Sequence, residues 1–475
     1  MTVWALITPP GSSLAEANTI DAIFRIALGG TWPADGELHA LNATRWILAE
    51  GFASPAATHG TVAALLAAHP GDAPDLNIQS QNSPVAYWVG ALALRASGWV
   101  SLRWDVAVLL LRVINIALLA PLPLLVSATA RQLLGSPVAA ATASVLLFAV
   151  PQLAETGGTV SPTAAATLLS AVAVWLGVRL VTGERSWWSS VALACTAGFA
   201  TAISFSGLLV AVFALVCIAS TRGRGVRRLA TDIALIIVIS GVGIIAVVQQ
   251  YLVETRRFLT GTANVSNVIP QESTFGNAVD AQWTGLSTRF WGGLGRDGWL
   301  LTSPLVAILT VGSLAVLSWA LLRREPSIRR AWPLLTWAGI VLASLLLTGI
   351  LGGRVSHVVL TGDGQGLDVA VTALVAAVAV AARSVLTSPR QTRRAVTVAL
   401  VGSPLIAAYG MSVAYQGVYE ASHFAVSTSG LSTMAAVSPF GAGGIASAGL
   451  ILAAATVTAW VVAVRAVRCQ VKEEG

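Results

Sequence analysis

Eleven apolar runs recur along the chain, each of about the twenty residues that carry a helix across a hydrocarbon core. They fall near 105–128, 138–153, 163–182, 188–203, 205–220, 229–250, 299–322, 332–352, 367–386, 395–415 and 444–467. "ISFSG" (203–207) separates the fourth run from the fifth, where a turn or a kink fits equally. The first hundred residues follow a different pattern. Ser13-x-x-Glu16 forms a capping box, and Ile20, Ile23, Phe24 and Ala27 then repeat at helical spacing. Asp21 and Arg25 can pair on the opposite face, and Gly29-Gly30 stops the helix. A second helix is predicted from Asp35 as N-cap through "GELHALNATRWILAE" to Gly51. Two short helices with one apolar face each suit a membrane surface. The stretch 81–99 is apolar but too short to span. It predicts a helix at the membrane boundary, with Tyr87, Trp88, Trp99 and Trp104 at interface depth. "MTVWALI" reads as the last third of a membrane helix, which predicts a full helix upstream of Met1.

Composition supports the spans. The chain has 475 residues, of which 55% are hydrophobic and 10% charged, against about 25% charged in a soluble domain. Of the 28 basic residues, 18 fall on one side of the alternating spans: Arg131, Arg179, Arg185, the clusters at 222–228, 323–330 and 383–394, and the tail at Arg465, Arg468 and Lys472. Short Arg-rich loops mark the cytoplasmic face, so the C-terminus is predicted to be cytoplasmic. The loops near 251–298 and 416–443 then join the first segment outside. The near-absence of lysine, with abundant Ala, Val and Gly, suits a high-GC bacterial genome and the bacterial inner membrane. The expected fold class is an all-α polytopic membrane protein with about 11 transmembrane helices and a helical outer-face loop. Its segments are 1–104 (first outer loop), 105–467 (transmembrane domain) and 468–475 (cytoplasmic tail). The net charge of +7 is a topology signal and implies no nucleic-acid partner. Cys195, Cys217 and Cys469 have neither disulfide nor zinc spacing.

Short motifs follow one another along the chain: Pro9-Pro10 with Glu16, Ser83-Pro84 with Tyr87, Arg112, "GGTVSPT" (157–163), "FWGGLGRDGWLLTSP" (290–304) and "GQGLD" (364–368). Their order resembles the GT-C superfamily of polyprenyl-phosphate-sugar-dependent glycosyltransferases. Within it, the chain is similar to the bacterial domain-of-unknown-function 2142 family. The resemblance implies a GT-C-like fold, with a polyprenyl-phosphate-linked sugar, a glycan acceptor and membrane lipid as partners. It also implies an outer-loop carboxylate acting as general base. The chain departs from the family pattern at Ala15, where the family has Asp, and at Thr19, where it has His. Ser161 and Thr163 stand for Asn and Asp, and Leu367-Asp368 for Arg-Tyr.

Four carboxylates are candidates for the base. Glu16 is the nearest survivor of the motif, with a competing role as a helix cap. Asp35 and Glu37, near His39, form a second acidic cluster, in which Asp35 also reads as an N-cap. Glu155 lies in the turn after the second span. A base must reach the acceptor hydroxyl and hold its proton. Arg112 stands inside the first span, where a charge is costly and marks function or pairing. It is a candidate for the lipid phosphate, or a partner for an acid such as Asp105. Arg296 and Arg354 are further phosphate candidates. Asp-x-Glu-x-His is too loose for a metal site, so no metal ligands and no cofactor are expected, with a divalent ion left open. The leading expectation is a transferase building envelope glycan on the outer face. A catalytically inactive scaffold or lipid-glycan-binding relative would explain the eroded motifs. A transporter or flippase is the third reading, although the spans show no internal repeat.

Overall fold

The computed structural model describes the chain apart from residues 12–13, 34–36, 185, 222–224, 251, 253–267, 270–273, 295–298, 357–358, 361–363, 387, 421 and 474–475. Helix α1 (Thr2–Ile7) is buried by its aromatic end: Trp4 lies against Gly158, where a Cβ would come 2.7 Å from the indole. Helix α2 (Leu14–Ala27) forms as its spacing predicts and ends at Gly29, with φ +91°. It does not lie one-sided on a membrane surface. Ile20, Asp21, Ala22, Ile23 and Phe24 in succession are buried, because protein covers both faces.

That cover comes partly from a strand the periodicity does not predict. The apolar spacing of "HALNATRWILA" suits a helix throughout, but His39–Leu41 is strand β1, paired antiparallel with β2 (Asp72–Leu76). Helix α3 starts only at Asn42 and runs to Ala49. Asp21 provides the physical reason. Its carboxylate accepts from the Leu41 N–H at 2.7 Å, the Asn77 amide at 2.7 Å and the Thr44 hydroxyl, which fixes the chain extended up to residue 41. Arg25 accordingly pairs with Asp72 on β2 at 2.8 Å rather than along the helix with Asp21. Burial pushes the Asp21 carboxyl above the usual range, opposed by these bonds. Asp21→Ala is expected to leave the buried Leu41 N–H unpaired, at about 1–3 kcal/mol, and to leave Asn77 with the Asn18 carbonyl as its remaining side-chain acceptor. A fall in the melting temperature of the solubilised protein measures it, and an unchanged melting curve would contradict this account.

Helix α4 (Val62–Ala68) follows, then α5 (Val85–Ser97), the predicted boundary helix, which closes at Gly98 with φ +62°. Arg95 ties α5 to α2 by donating to the Ala27 carbonyl at 3.1 Å and to that of Ile26. Of the four interface aromatics, only Trp88 is exposed. Tyr87, Trp99 and Trp104 pack inside the protein.

The spans follow. Helices α6 (Trp104–Leu119) and α7 (Leu122–Leu134) make one 31-residue span, broken at Pro121. Helices α8 (Pro137–Val145) and α9 (Pro151–Gly158) flank a 73° bend. Helix α10 (Thr163–Val181) spans intact, with Thr163 at one end and Arg179 in the last turn of the other. Helices α11 (Trp187–Ile203) and α12 (Gly207–Ala219) are apolar but shorter, and the break between them falls at "ISFSG". Helix α13 (Val226–Ala246) crosses α11 where a Cβ on Gly243 would stand 2.4 Å from the Gly198 carbonyl, the close backbone approach that small residues permit. Further apolar helices are Ser303–Arg323, Trp332–Ser356, Val371–Val385, Pro389–Tyr419 and Gly441–Glu473. Among the described residues, eight helices are long and apolar enough to span, nine with the bent pair. With α11 and α12 they occupy the places of the eleven predicted runs. The chain is a multi-pass, nearly all-helical membrane protein.

Candidate active site

Glu16 and Arg112, 96 residues apart in sequence, meet inside the protein. Both Glu16 oxygens are 2.8 Å from Arg112, with Nε on Oε1 and Nη2 on Oε2. The same carboxylate accepts from the Gly11 N–H at 3.1 Å and the Val160 N–H at 3.0 Å. It is therefore the anchor of a buried fork, not a water-facing cap; its predicted capping partner Ser13 lies outside the described residues. Arg112 also donates to the carbonyls of Ala5 (2.8 Å), Thr8 (2.6 Å) and Pro9 (2.9 Å). A guanidinium has five N–H groups, and here all five are engaged within the protein. The Pro9-Pro10 turn, the start of α2, the middle of α6 and the turn after α9 are thus held at one point. Asp105, the predicted alternative partner, instead binds Arg103 (3.0 Å) and lies 3.2 Å from His59.

Beside this fork opens a cleft of about 370 Å³, lined from several motifs at once. The first loop contributes Ala15, Glu16 and Thr19, and the turn between α9 and α10 contributes Thr159, Val160, Ser161, Pro162 and Thr163. The α11–α12 break contributes Ser204 and Ser206, and "GQGLD" contributes Gly366. Glu155 lies on α9 and lines the same cleft. Gln152 donates to its Oε2 at 3.2 Å, and its Oε1 has no hydrogen-bond partner among the described residues. Asp368 and Glu16 are its acidic neighbours. Asp368 is buried and accepts from the Thr156 hydroxyl, joining α9 to the "GQGLD" turn. The N-terminal end of α10 also lines the cleft, with the Thr163 N–H donating to the Ser161 hydroxyl at 3.2 Å, and the dipole of a helix N-terminus is favourable for an anion.

The remaining candidates lie elsewhere. Glu37 is exposed and does not line the cleft. Asp35, Arg296 and the side chain of Arg354 lie outside the described residues. Among the described residues, no group of three His, Cys, Asp or Glu side chains is placed to hold a metal ion. The residues that sequence reasoning missed are Gln79 and Asn82, which line the cleft from the loop before α5. Their signal was the polar run "NIQSQN" (77–82), set directly before Ser83-Pro84 in an otherwise apolar chain.

This assembly of spans around a polar cleft is a GT-C-type fold. Residues 81–251, less than half of the chain, match the family model for dolichyl-phosphate-mannose-protein mannosyltransferases. The chain is similar to ArnT from Cupriavidus metallidurans solved with undecaprenyl phosphate bound, with TM-score 0.50 and 16% identity over 98% of this chain and 73% of that one. It is also similar, with TM-score 0.38 and 12% identity over 84% of this chain and 55% of the other, to the Archaeoglobus fulgidus oligosaccharyltransferase tethered to an acceptor peptide. A search of curated proteins returned no match.

Proposed function

We propose that this protein is a GT-C-type glycosyltransferase that takes a sugar from a polyprenyl phosphate, with Glu155 as the general base. The observation that carries the reading is the unpartnered Glu155 oxygen in a polar cleft. Glu16 has the more suggestive position in sequence, but four donors already occupy its carboxylate. Its role is to hold the cleft wall, and Arg112, equally saturated, holds Glu16 rather than a lipid phosphate. In the proposed step Glu155 accepts the proton of the acceptor hydroxyl. The hydroxyl oxygen bonds to the anomeric carbon as the sugar–phosphate C–O bond breaks, and the polyprenyl phosphate leaves with the electron pair. The helix dipole at the start of α10 supports placing that phosphate near Ser161 and Thr163. The narrower likeness to the domain-of-unknown-function 2142 family is supported by Glu16, "GGTVSPT" and "GQGLD", which contribute to this cleft, whereas "FWGGLGRDGWLLTSP" supplies no residue of its described lining. The outer face of a bacterial inner membrane remains the site of action that the Arg distribution supports.

The test is transfer of labelled sugar from a panel of polyprenyl-phosphate sugars to membrane glycan acceptors by the purified protein in proteoliposomes. Lipid binding without transfer by any donor would favour the second reading, an inactive scaffold or lipid-glycan-binding protein. Ala15 and the full engagement of Glu16 are the observations on that side. Absence of polyprenyl-phosphate binding would overturn both.

A further inference from the structure

The wall of the cleft formed by Gln79 and Asn82 has a construction of its own. Tyr87 donates to Gln79 Oε1 at 2.6 Å, and Asn82 Nδ2 donates to the same oxygen at 2.5 Å. Asn82 Nδ2 is also 3.2 Å from the Tyr87 hydroxyl. The Tyr87 ring is buried and stacked on Trp32 with centroids 5.2 Å apart. Behind the wall, Asn77 accepts from the Gln79 N–H at 2.9 Å and donates to Asp21 at 2.7 Å. Both amides are therefore fixed from behind, the support that lets a binding group hold its geometry before the ligand arrives.

This arrangement leaves unused capacity on the cleft side. The Asn82 amine is spent on Gln79 and Tyr87, and its Oδ1 accepts nothing among the described residues. The Gln79 amine has only the long 3.4 Å contact to Thr19, at the weak end of the hydrogen-bond range. One free acceptor thus stands beside one under-used donor, a pattern that matches adjacent hydroxyls. The described lining contains no Lys, Arg or His, while its two charged members, Glu16 and Glu155, are acids. At the Gln79–Asn82 wall a carboxylate substituent on a sugar would meet amide groups and no cation, whereas the lipid phosphate is placed at the start of α10.

We infer that Gln79 and Asn82 form a sugar-reading subsite that accepts an uncharged, hydroxylated sugar and rejects one bearing an anionic substituent. The inference rests on the transferase reading above and names its donor class. Three lipids distinguish the outcomes in nanodiscs containing the full chain: bare polyprenyl phosphate, polyprenyl-phosphate-mannose and polyprenyl-phosphate-galacturonate. The mannose lipid is expected to bind at least tenfold more tightly than the galacturonate lipid. Asn82→Ala keeps the Tyr87–Gln79 bond, and should weaken the mannose lipid about tenfold, as loss of one hydrogen bond does. It should leave the bare lipid unchanged, which also verifies folding. Equal affinity for the two sugars, or an Asn82→Ala variant with wild-type affinity for the mannose lipid, overturns the subsite while leaving the transferase reading intact. Failure of the bare lipid to bind overturns the reading itself.

Discussion

Arg112→Met is expected to cost the protein about 3–5 kcal/mol of stability, the range for removing one partner of a buried ion pair. The substitution fills much of the same volume but leaves the Glu16 carboxylate buried opposite a thioether. It also strips the Ala5, Thr8 and Pro9 carbonyls of their shared donor. A large drop in melting temperature, or loss of monodisperse protein on size exclusion, is the readout. Arg112→Lys retains the charge but not the planar fork, and should fall between the two. The double variant Arg112→Met with Glu16→Leu removes the stranded charge and should recover part of the loss. Recovery stays partial, because the three carbonyls remain unpaired. An Arg112→Met protein as stable as wild type would show that the fork does not hold the first segment to the spans.

Glu155→Gln is expected to reduce the rate of sugar transfer by about 10²–10⁴-fold, the usual contribution of a positioned general base. The amide is nearly isosteric, and among the described residues Glu155 makes one side-chain hydrogen bond, accepting from Gln152. Folding and polyprenyl-phosphate binding should therefore be unchanged, which separates this variant from Arg112→Met. Glu37→Gln is the matched control: the residue is exposed, is absent from the cleft lining, and should transfer at the wild-type rate. Transfer unaffected by Glu155→Gln would remove Glu155 from the mechanism.

The spans were readable from sequence because an apolar run of membrane length has few other uses, and the Arg clusters gave them a consistent alternation. The first hundred residues were harder. Helix α2 announced itself through spacing and a glycine stop, but the sequence showed only one apolar face, and the structure buries both. The strand at 39–41 was illegible locally. It depends on Asp21, some twenty residues away, supplying the acceptor that holds Leu41 extended. The site was legible as a set of motifs and not as roles. Glu16, Arg112, "GGTVSPT" and "GQGLD" do converge, yet no spacing rule reveals that Glu16 and Arg112 satisfy one another. Glu155 could be picked out as a turn carboxylate. That its oxygen faces a cleft depends on the 73° bend between α8 and α9, and bends of that kind have no periodic signature.

The α11–α12 hairpin has a consequence for the surrounding lipid. At 1.5 Å per residue, helices of 17 and 13 residues rise about 25 and 20 Å, against a hydrocarbon core of about 30 Å. Ser204 and Ser206 in their connection line the cleft, so the short pair is expected to leave this flank mismatched to a bilayer of that thickness. Local thinning, at a modest elastic cost per ångström, is one way a bilayer accommodates such a short pair. Thinner bilayers should therefore suit this flank best, which a comparison of melting temperatures in nanodiscs of short-chain and long-chain lipids would measure.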